Sequence, residues 1–366
     1  MVIYGADCVD GSRIKQGTGV SIPGDCVDTP LPYPDKYDCG AGKRLVQGTI
    51  DTCIDGTKGS APDPYPPLIE CPPGQRLKQG TEGCIDVPSP APISLTLVSV
   101  LNDDVRETSG LENVNGNIYT HNDSGGSDLL YEINVSTGEV IRSITIIGAT
   151  NVDWEDLAYD DTHLYIADIG NNLGNRTDLK IYKILKSDLN TNITVNAETI
   201  AFSYTDQTTF TYDPFTTPYD AEALIAYNGH LYVFTKNWAD NTSKIYSIPT
   251  VPGSYEVTSV SEKVLDVMVT GAAIDGAGSS VALVGYTNPY DTDTPFKSMI
   301  VKLSNFAGNN FFSGSIAEYE IKNSQLVGQV EAILFNTPSE FYLSAEGVTV
   351  LSVEYPAKLY KTEIIE

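Results

Sequence analysis

The chain has 366 residues, which is enough for one large domain with its own core and a smaller appendage. Its 48 acidic residues outnumber 22 Lys and Arg, and the formal net charge of −26 repels nucleic-acid phosphates and anionic lipid headgroups. Nucleic acids and membrane surfaces are therefore excluded as expected partners.

The distribution of cysteines indicates an oxidising compartment. All six cysteines precede residue 85 and the rest of the chain has none, as in a secreted, disulfide-stapled appendage. The sequence contains no run of 18 apolar residues, and its first residues lack the basic and apolar regions of a signal peptide. We expect an extracellular or virion-surface location, by an export route that the sequence leaves open.

The first 92 residues contain one pattern three times, as DCVDGSRIKQGTGVSIPGDCVD, DCGAGKRLVQGTIDTCID and ECPPGQRLKQGTEGCID. Each copy holds two cysteines, so the simplest pairing is within a copy. This pairing predicts three small disulfide-closed hairpins joining Cys8 to Cys26, Cys39 to Cys53, and Cys71 to Cys84. The alternative is zinc binding, but CxxC spacing is absent and the three histidines all lie further along the chain.

Proline-rich segments separate the three copies and follow the last one. Their sequences are TPLPYPDKY, GSAPDPYPPLIE and VPSPAPIS, which favour extended polyproline geometry. We therefore predict two domains, a stalk or anchor over residues 1–92 and a second domain over residues 93–366.

The sequence pattern of the second domain is typical of an all-β fold, with alternating β-branched and aromatic runs between Gly, Asn and Asp. A layout of strand, turn and LY-like strand recurs five times, starting at Ser109, Trp154, Ala221, Gly271 and Val330. It predicts a five-bladed β-propeller in which SLTLVSVL, residues 94–101, supplies the missing outer strand of the last blade and closes the ring. A six-bladed ring would need a further blade hidden between Trp154 and Ala221.

Acidic residues recur where the innermost strands of a propeller begin, beside the central channel. Convergent carboxylates repel one another unless protons or a cation intervene, and Ca²⁺ accepts an irregular cage of oxygen ligands. The candidate metal ligands are Ser109, Asp153, Glu155, Asp220, Glu222 and Glu331. The alternative is that these acids accept hydrogen bonds from backbone amides of the neighbouring blade.

Loops on the same face of the predicted ring carry polar and aromatic residues of the kinds that bind glycans or proteins. The candidate ligand-binding residues are His121, Asp123, Asp168, Arg176, Trp238 and Tyr286. The segment TFTYDPFTTPYD, residues 209–220, adds clustered aromatics. No nucleophile elbow, HExxH, P-loop or GxGxxG motif is present, so the sequence predicts no catalytic residue.

Two resemblances follow from these motifs. SGLENVNGNIYTHNDSG, GATNVDWEDLAYDDTHLYIADIGNN and NRTDLKIYKI resemble secreted bacterial propellers whose blades read SGL, HNDSG, DWEDIA and DIGDN. More distantly, the inner-strand pattern with Glu155, Glu222 and Glu331 is similar to calcium-dependent apyrases, five-bladed propellers with Ca²⁺ in the channel mouth, which implies a metal site. The cysteine-bracketed repeats resemble short modules of marine phage structural proteins.

The sequence therefore favours a non-enzymatic display or adhesion protein, whose stalk anchors it to a larger assembly, a virion or cell surface, and whose propeller binds glycan or protein. The alternative is a calcium-dependent phosphohydrolase or esterase-like propeller enzyme that uses the channel metal.

The cysteine pairing is directly testable. Because each copy contains one pair and proline-rich linkers hold the copies apart, we expect non-reducing peptide mapping to recover only Cys8–Cys26, Cys39–Cys53 and Cys71–Cys84. A peptide joining Cys26 to Cys39, or free thiols throughout, would contradict the pairing.

Overall fold

The computed structural model describes residues 91–350 and 353–365, together with six short strands in the first 90 residues. The chain divides into two compact units, Met1–Pro88 and Ser89–Glu366. In the first unit each repeat contains an antiparallel strand pair: Arg13–Ile14 with Cys26–Val27, Lys43–Leu45 with Cys53–Asp55, and Gln75–Leu77 with Cys84–Asp86. The predicted disulfides lie outside the described residues, since Cys8, Cys39 and Cys71 are not among them.

The second unit is all β and forms the five-bladed propeller that the sequence predicts. Each blade is a sheet whose strands follow one another from the channel outward. Blade 1 has Thr108–Val114, Asn117–Asn122, Leu129–Ile133 and Val140–Ile147; blade 2 has Trp154–Tyr159, His163–Asp168, Lys180–Leu185 and Glu198–Tyr204; blade 3 has Asp220–Tyr227, His230–Lys236, Thr242–Pro249 and Ser259–Val264. Blade 4 has Met268–Ile274, Ser280–Tyr286, Ser298–Ser304 and Ser315–Ile321, and blade 5 has Val330–Phe335, Glu340–Ala345, Lys358–Glu363 and Thr96–Val100.

The remaining elements are short. They are 3-10 helices at Asp103–Val105, Lys186–Asn190 and Phe311–Ser313, an α-helix at Ser324–Val327, and a hairpin of Val348–Val350 with Val353–Tyr355. Within the described residues no helix has the length and apolar character needed to cross a membrane.

The ring closes as predicted from the sequence. Thr96–Val100 pairs antiparallel with Lys358–Glu363 and becomes the outer strand of blade 5. A hydrophobic cluster then joins blade 5 to blade 1 through side chains such as Leu334, Leu359 and Leu111. Four comparable clusters fill the other interfaces between neighbouring blades, so the core is a circle of inter-blade layers.

Three outer edges carry an additional parallel strand that the sequence does not predict. Thr194–Asn196 joins blade 1, Gly253–Val257 joins blade 2 and Ala91–Ile93 joins blade 4. The segment YEVTSVSEKVLDV, residues 255–267, is therefore divided between two blades: its first part covers the edge of blade 2, and Ser259–Val264 lies in blade 3. Such cover protects an otherwise open sheet edge.

A β-bulge interrupts the pairing of the two inner strands in every blade. One residue of each innermost strand has no partner across the ladder, and a bulge re-aims the side chain of that residue. The five unpaired residues are Gly110, Glu155, Glu222, Thr270 and Glu331. Gly110, rather than the neighbouring Ser109, is thus the blade 1 equivalent of Glu155; a Cβ on Gly110 would lie 2.6 Å from His121 Nε2.

Directly after the blade 2 bulge, Asp156 joins three blades. Its Oδ1 accepts a hydrogen bond from Leu157 N at 2.8 Å, and its Oδ2 accepts from Leu224 N at 2.8 Å and Ala272 N at 3.2 Å. Leu224 and Ala272 lie on the innermost strands of blades 3 and 4. With 1% of its surface exposed, Asp156 satisfies amides that no water can reach.

We expect Asp156→Ala to lower the free energy of unfolding by about 3 kcal/mol, because it leaves buried amide donors without acceptors. Urea denaturation of the full chain measures this loss. The matched control is Asp161→Ala, which removes an exposed acid from the first turn of the same blade. Equal midpoints for the two variants would show that Asp156 does not hold the inner strands together.

Candidate functional site

Three of the re-aimed side chains, those of Glu155, Glu222 and Glu331, meet at one mouth of the channel, where residues from all five blades converge. This channel mouth is lined by Ser109, Asp123, Glu155, Asn172, Phe215, Glu222, Lys236, Trp238, Tyr286, Pro289, Tyr290, Gln329, Glu331 and Glu346. Glu155, Glu222 and Glu331 lie at bulges of innermost strands, and Lys236 and Tyr286 end second strands. Most of the others lie in the loops that flank these strands. The mouth divides electrostatically into two parts.

The first part, the lysine half, consists of Glu222, Lys236, Tyr286 and Glu331. Lys236 Nζ donates to both carboxylate oxygens of Glu222, at 2.6 and 2.7 Å, and to the Tyr286 hydroxyl at 3.0 Å. Tyr286 in turn donates to Glu331 Oε1 at 3.1 Å. Burial lowers the pKa of Lys236, but Glu222, Tyr286 and Glu331 raise it, and the resulting pKa lies well above its ordinary value. Lys236 therefore stays charged and neutralises this half.

The second part, the acid half, consists of Asp123, Asp153 and Glu155. One carboxylate oxygen from each lies within 4.8 Å of the others. Asp153 is 8% exposed and Glu155 4% exposed, yet neither carboxylate accepts a hydrogen bond from any described residue. Gly170 packs against both, and a Cβ there would overlap Glu155 Oε1 and Asp153 Oδ2. The fold thus makes room for buried acids without giving them donors.

The pKa values of the acid half reflect burial and the neighbouring carboxyls. Burial, reinforced by Asp153 and Glu331, raises the pKa of Asp123 to about 8. Burial and then Asp220 raise the pKa of Asp153 to about 7, and burial with Asp123 and Glu222 raises that of Glu155 well above its ordinary value. Without a cation these groups hold protons near neutral pH.

A second group of acids, Glu155, Asp220 and Glu222, also comes within metal-binding distance. The carboxylate oxygens of Asp220 and Glu222 already accept hydrogen bonds. Both oxygens of Glu222 accept from Lys236, while Asp220 accepts from Asn171 N at 2.6 Å and from Trp238 Nε1 at 2.7 Å. Acidic clusters that could hold a metal ion are therefore present, and the acid half has the freer oxygens.

Most of the predicted ligands reach the mouth. Asp123, Trp238 and Tyr286 line it, as do Ser109, Glu155, Glu222 and Glu331, whereas Asp153 and Asp220 lie directly behind it. Ser109 contributes through its hydroxyl, which donates to the Glu155 backbone carbonyl at 2.5 Å and ties blade 1 to blade 2.

Three predicted ligands lie behind the lining instead. Asp168 is fully buried and pairs with Arg176 at 2.8 Å, and Arg176 also donates to Gly170 O, so the pair supports the glycine beside the acid half. His121 is fully buried against the edge of Trp154. Burial lowers the pKa of His121 to about 4, so the imidazole is neutral at ordinary pH.

Sequence reasoning missed Gln329, Pro289 and Tyr290 and did not assign a role to Phe215, Lys236 or Glu346. Lys236 and Tyr286 each end a second strand, as Asp168 does in blade 2, so position within the repeat was a usable signal for them. Tyr290 lies in the loop after the second strand of blade 4, and no repeat position identifies it.

Known proteins and solved structures offer only distant similarities. No family model matches the chain, and no curated protein matches it. Among solved structures, the PQQ-bound aldose sugar dehydrogenase of Streptomyces coelicolor is similar at 10% identity over 75% of this chain and 100% of its own, with a TM-score of 0.42. The α-L-arabinanase of Penicillium chrysogenum, complexed with arabinobiose, is similar at 11% identity over 70% of this chain and 80% of its own, with a TM-score of 0.41.

These comparisons correct one prediction. The expectation of a non-enzymatic display or adhesion protein is wrong on them, because both similar propellers are enzymes. The resemblances to secreted propellers, apyrases and phage modules stay predictions. Similarity at this level describes the ring and says nothing about substrate, so the chemistry below is argued from the residues of the mouth.

The acid half predicts a specific pH dependence of stability. A carboxyl whose pKa is higher in the folded than in the unfolded chain binds an extra proton when folded, so its contribution to stability is lost as the pH rises through that range. For Asp123 and Asp153 the range runs from about 4 to about 7–8. We expect the melting temperature in EDTA to fall between pH 4 and pH 8, and the fall to be smaller in Asp153→Asn. A melting temperature that rises over this interval would contradict the protonated acid half.

Proposed function

We propose that the propeller is a hydrolase of phosphate or carboxylic esters, with the channel mouth as its active site and a divalent cation, calcium by preference, in the acid half. The observation that carries the proposal is the pair Asp153 and Glu155, two buried carboxylates with no hydrogen-bond donor among the described residues. Buried acids in this condition are characteristic of functional sites rather than of stable cores.

The donor set fits a hard cation. Asp123, Asp153 and Glu155 offer three carboxylates; the space kept by Gly170 leaves the oxygens of Asp153 and Glu155 unencumbered, and among the described residues Asp123 Oδ1 accepts only from Ser124 N, at 2.5 Å. Ca²⁺ accepts six to eight oxygens in irregular geometry, whereas Mg²⁺ requires a near-ideal octahedron, so loops from two blades suit Ca²⁺ better. When bound, such a cation would polarise the ester oxygen and offset charge that develops on it.

Glu346 is the residue best placed to supply a proton. It lines the mouth, and its carboxyl accepts no hydrogen bond from a described residue. Burial, together with Glu331 and Asp123, raises the pKa of Glu346 well above its ordinary value, which favours its protonated form. A protonated carboxyl facing the substrate can protonate the departing alkoxide oxygen as a general acid.

Lys236 has a different role in the proposed site. Its three N–H bonds are all directed to Glu222 and Tyr286, so it is held in place rather than free to bind substrate. Its charge makes the potential of the mouth less negative, which helps an ester to approach the five carboxyls that line the mouth and the two, Asp153 and Asp220, directly behind it. We regard Lys236 as a positioning residue.

The proposal predicts hydrolysis of model esters by the full chain. In a screen of p-nitrophenyl phosphate, bis-p-nitrophenyl phosphate, nucleotides and p-nitrophenyl acetate, we expect turnover that requires Ca²⁺ and stops with EDTA. Glu346→Gln should lower kcat by about 100-fold with little change in melting temperature, because it removes only the proton donor. Glu155→Gln should raise the Ca²⁺ concentration needed for half-maximal activity.

The matched control is Glu112→Gln. Glu112 is also a buried inner-strand acid whose pKa is raised by burial, but it lines a different cavity, with Tyr159 and Tyr227. Its substitution should leave turnover unchanged. No turnover of any ester with Ca²⁺, Mg²⁺ or Mn²⁺ above that of Glu346→Gln would remove the proposed function.

A further inference from the structure

Three aromatic rings stand together on one side of the channel mouth. We call Phe215, Trp238 and Tyr290 the aromatic wall. The ring centroids of Phe215 lie 5.0 Å from Trp238 and 4.9 Å from Tyr290, and those of Trp238 and Tyr290 are 6.1 Å apart. All three line the mouth, yet Phe215 is 37% and Tyr290 64% exposed. Two large rings thus face solvent beside buried acids.

The backbone under the wall is strained. Phe215 has φ of +57°, a left-handed conformation that is rare for a bulky side chain. The other non-glycine residues with positive φ in the described part of the chain are all asparagines, which tolerate that region. Holding a phenylalanine there costs free energy, and strain of this kind concentrates at ligand-binding sites. The hydrogen bond from Phe215 N to Asn172 O, 2.9 Å, fixes the conformation.

The rest of the mouth is lined mainly by carboxyl groups. Five carboxyls line it against one ammonium, that of Lys236, and the hydrogens of Lys236 are already engaged. The amide of Gln329 is also committed, to Tyr286 and Glu331, at 3.2 Å each. A ligand that fits must therefore bring several hydroxyl groups, which can donate to an ionised carboxyl and accept from a protonated one, together with an apolar face. It must not carry negative charge away from the cation.

From this geometry we infer that the substrate is a carbohydrate ester whose neutral sugar ring stacks on the aromatic wall while its hydroxyls donate to the carboxyls of the mouth. A pyranose or furanose ring has both required features, C–H groups on its faces and hydroxyls around its rim. A flat aryl ring supplies the stacking face without the donors. The inference rests on the proposed function and assigns its substrate class.

Intrinsic fluorescence can report binding separately from turnover. The chain has two tryptophans; Trp154 is fully buried, and Trp238 belongs to the wall. We would titrate the full chain, in Ca²⁺, with cellohexaose, xylohexaose, mannohexaose and maltohexaose, none of which has an ester bond to cleave. At least one should change the Trp238 emission with a saturable dissociation constant.

Variants of the wall should weaken that binding by about tenfold, the loss of one ring–ring stacking contact. Tyr290→Ala tests the exposed ring and Tyr290→Phe should bind as well as the wild type. Phe215→Gly removes a ring but relieves the backbone strain, so it should lose binding without losing stability. The matched control is Tyr212→Ala. Tyr212 lies on the same loop as Phe215 and is 63% exposed, but it does not line the mouth.

The outcomes separate this inference from the proposed function. Oligosaccharide binding without hydrolysis of any ester would keep the sugar site and remove the hydrolase. Ester hydrolysis that Tyr290→Ala leaves unchanged would keep the hydrolase and overturn the inference. Absence of binding by all four oligosaccharides, binding of phenyl phosphate instead, or equal effects of Tyr290→Ala and Tyr212→Ala would also overturn it.

Discussion

The carboxylate of Asp156 is the contact on which the site depends most. Five strands that converge on one axis bring backbone amides together where water cannot follow, and each buried amide needs an acceptor. Asp156 supplies one carboxylate to amides of three successive blades, at Leu157, Leu224 and Ala272. The innermost strands of blades 2, 3 and 4 are thereby fixed relative to one another. The bulged Glu155 and Glu222 directly precede these contacts, so their positions follow from the same constraint.

The fold produces the charge pattern of the mouth by bulging each inner strand once. Five equivalent bulges place five residues around one axis, and three of them are Glu. One of the three, Glu222, is neutralised by Lys236, while Glu155 is left with Asp123 and Asp153. The result is a mouth in which Lys236 offsets the charge of Glu222, while the acids of the other half could hold a metal ion.

The ring was predictable because its signals are periodic. Five recurrences of strand, turn and LY-like strand specify the blades, and the missing outer strand of the last blade identifies Thr96–Val100 as the closing strand. The acids Glu155, Glu222 and Glu331 were found because they recur at one position of the repeat. Edge strands such as Gly253–Val257 escaped prediction, since which sheet a short outer strand joins depends on inter-blade packing and not on its own pattern.

The exact residues of the site could not be predicted, because they depend on strand register and on the positions of loops. A bulge shifts a side chain by one position and leaves no mark in the sequence, so Ser109 was aligned where Gly110 belongs. Phe215 and Tyr290 come from loops of two different blades and meet only through the tertiary fold. The role of the N-terminal repeats as an anchor to a larger assembly stays a prediction.

The central claim is that the uncompensated acids of the mouth bind a divalent cation. Calorimetric titration of the full chain with Ca²⁺ at pH 8, compared between wild type, Glu155→Gln and Glu112→Gln, tests it most directly. The account predicts a saturable binding step that has the same dissociation constant in wild type and Glu112→Gln and is clearly weaker in Glu155→Gln. Titration curves that are the same in all three proteins would contradict it.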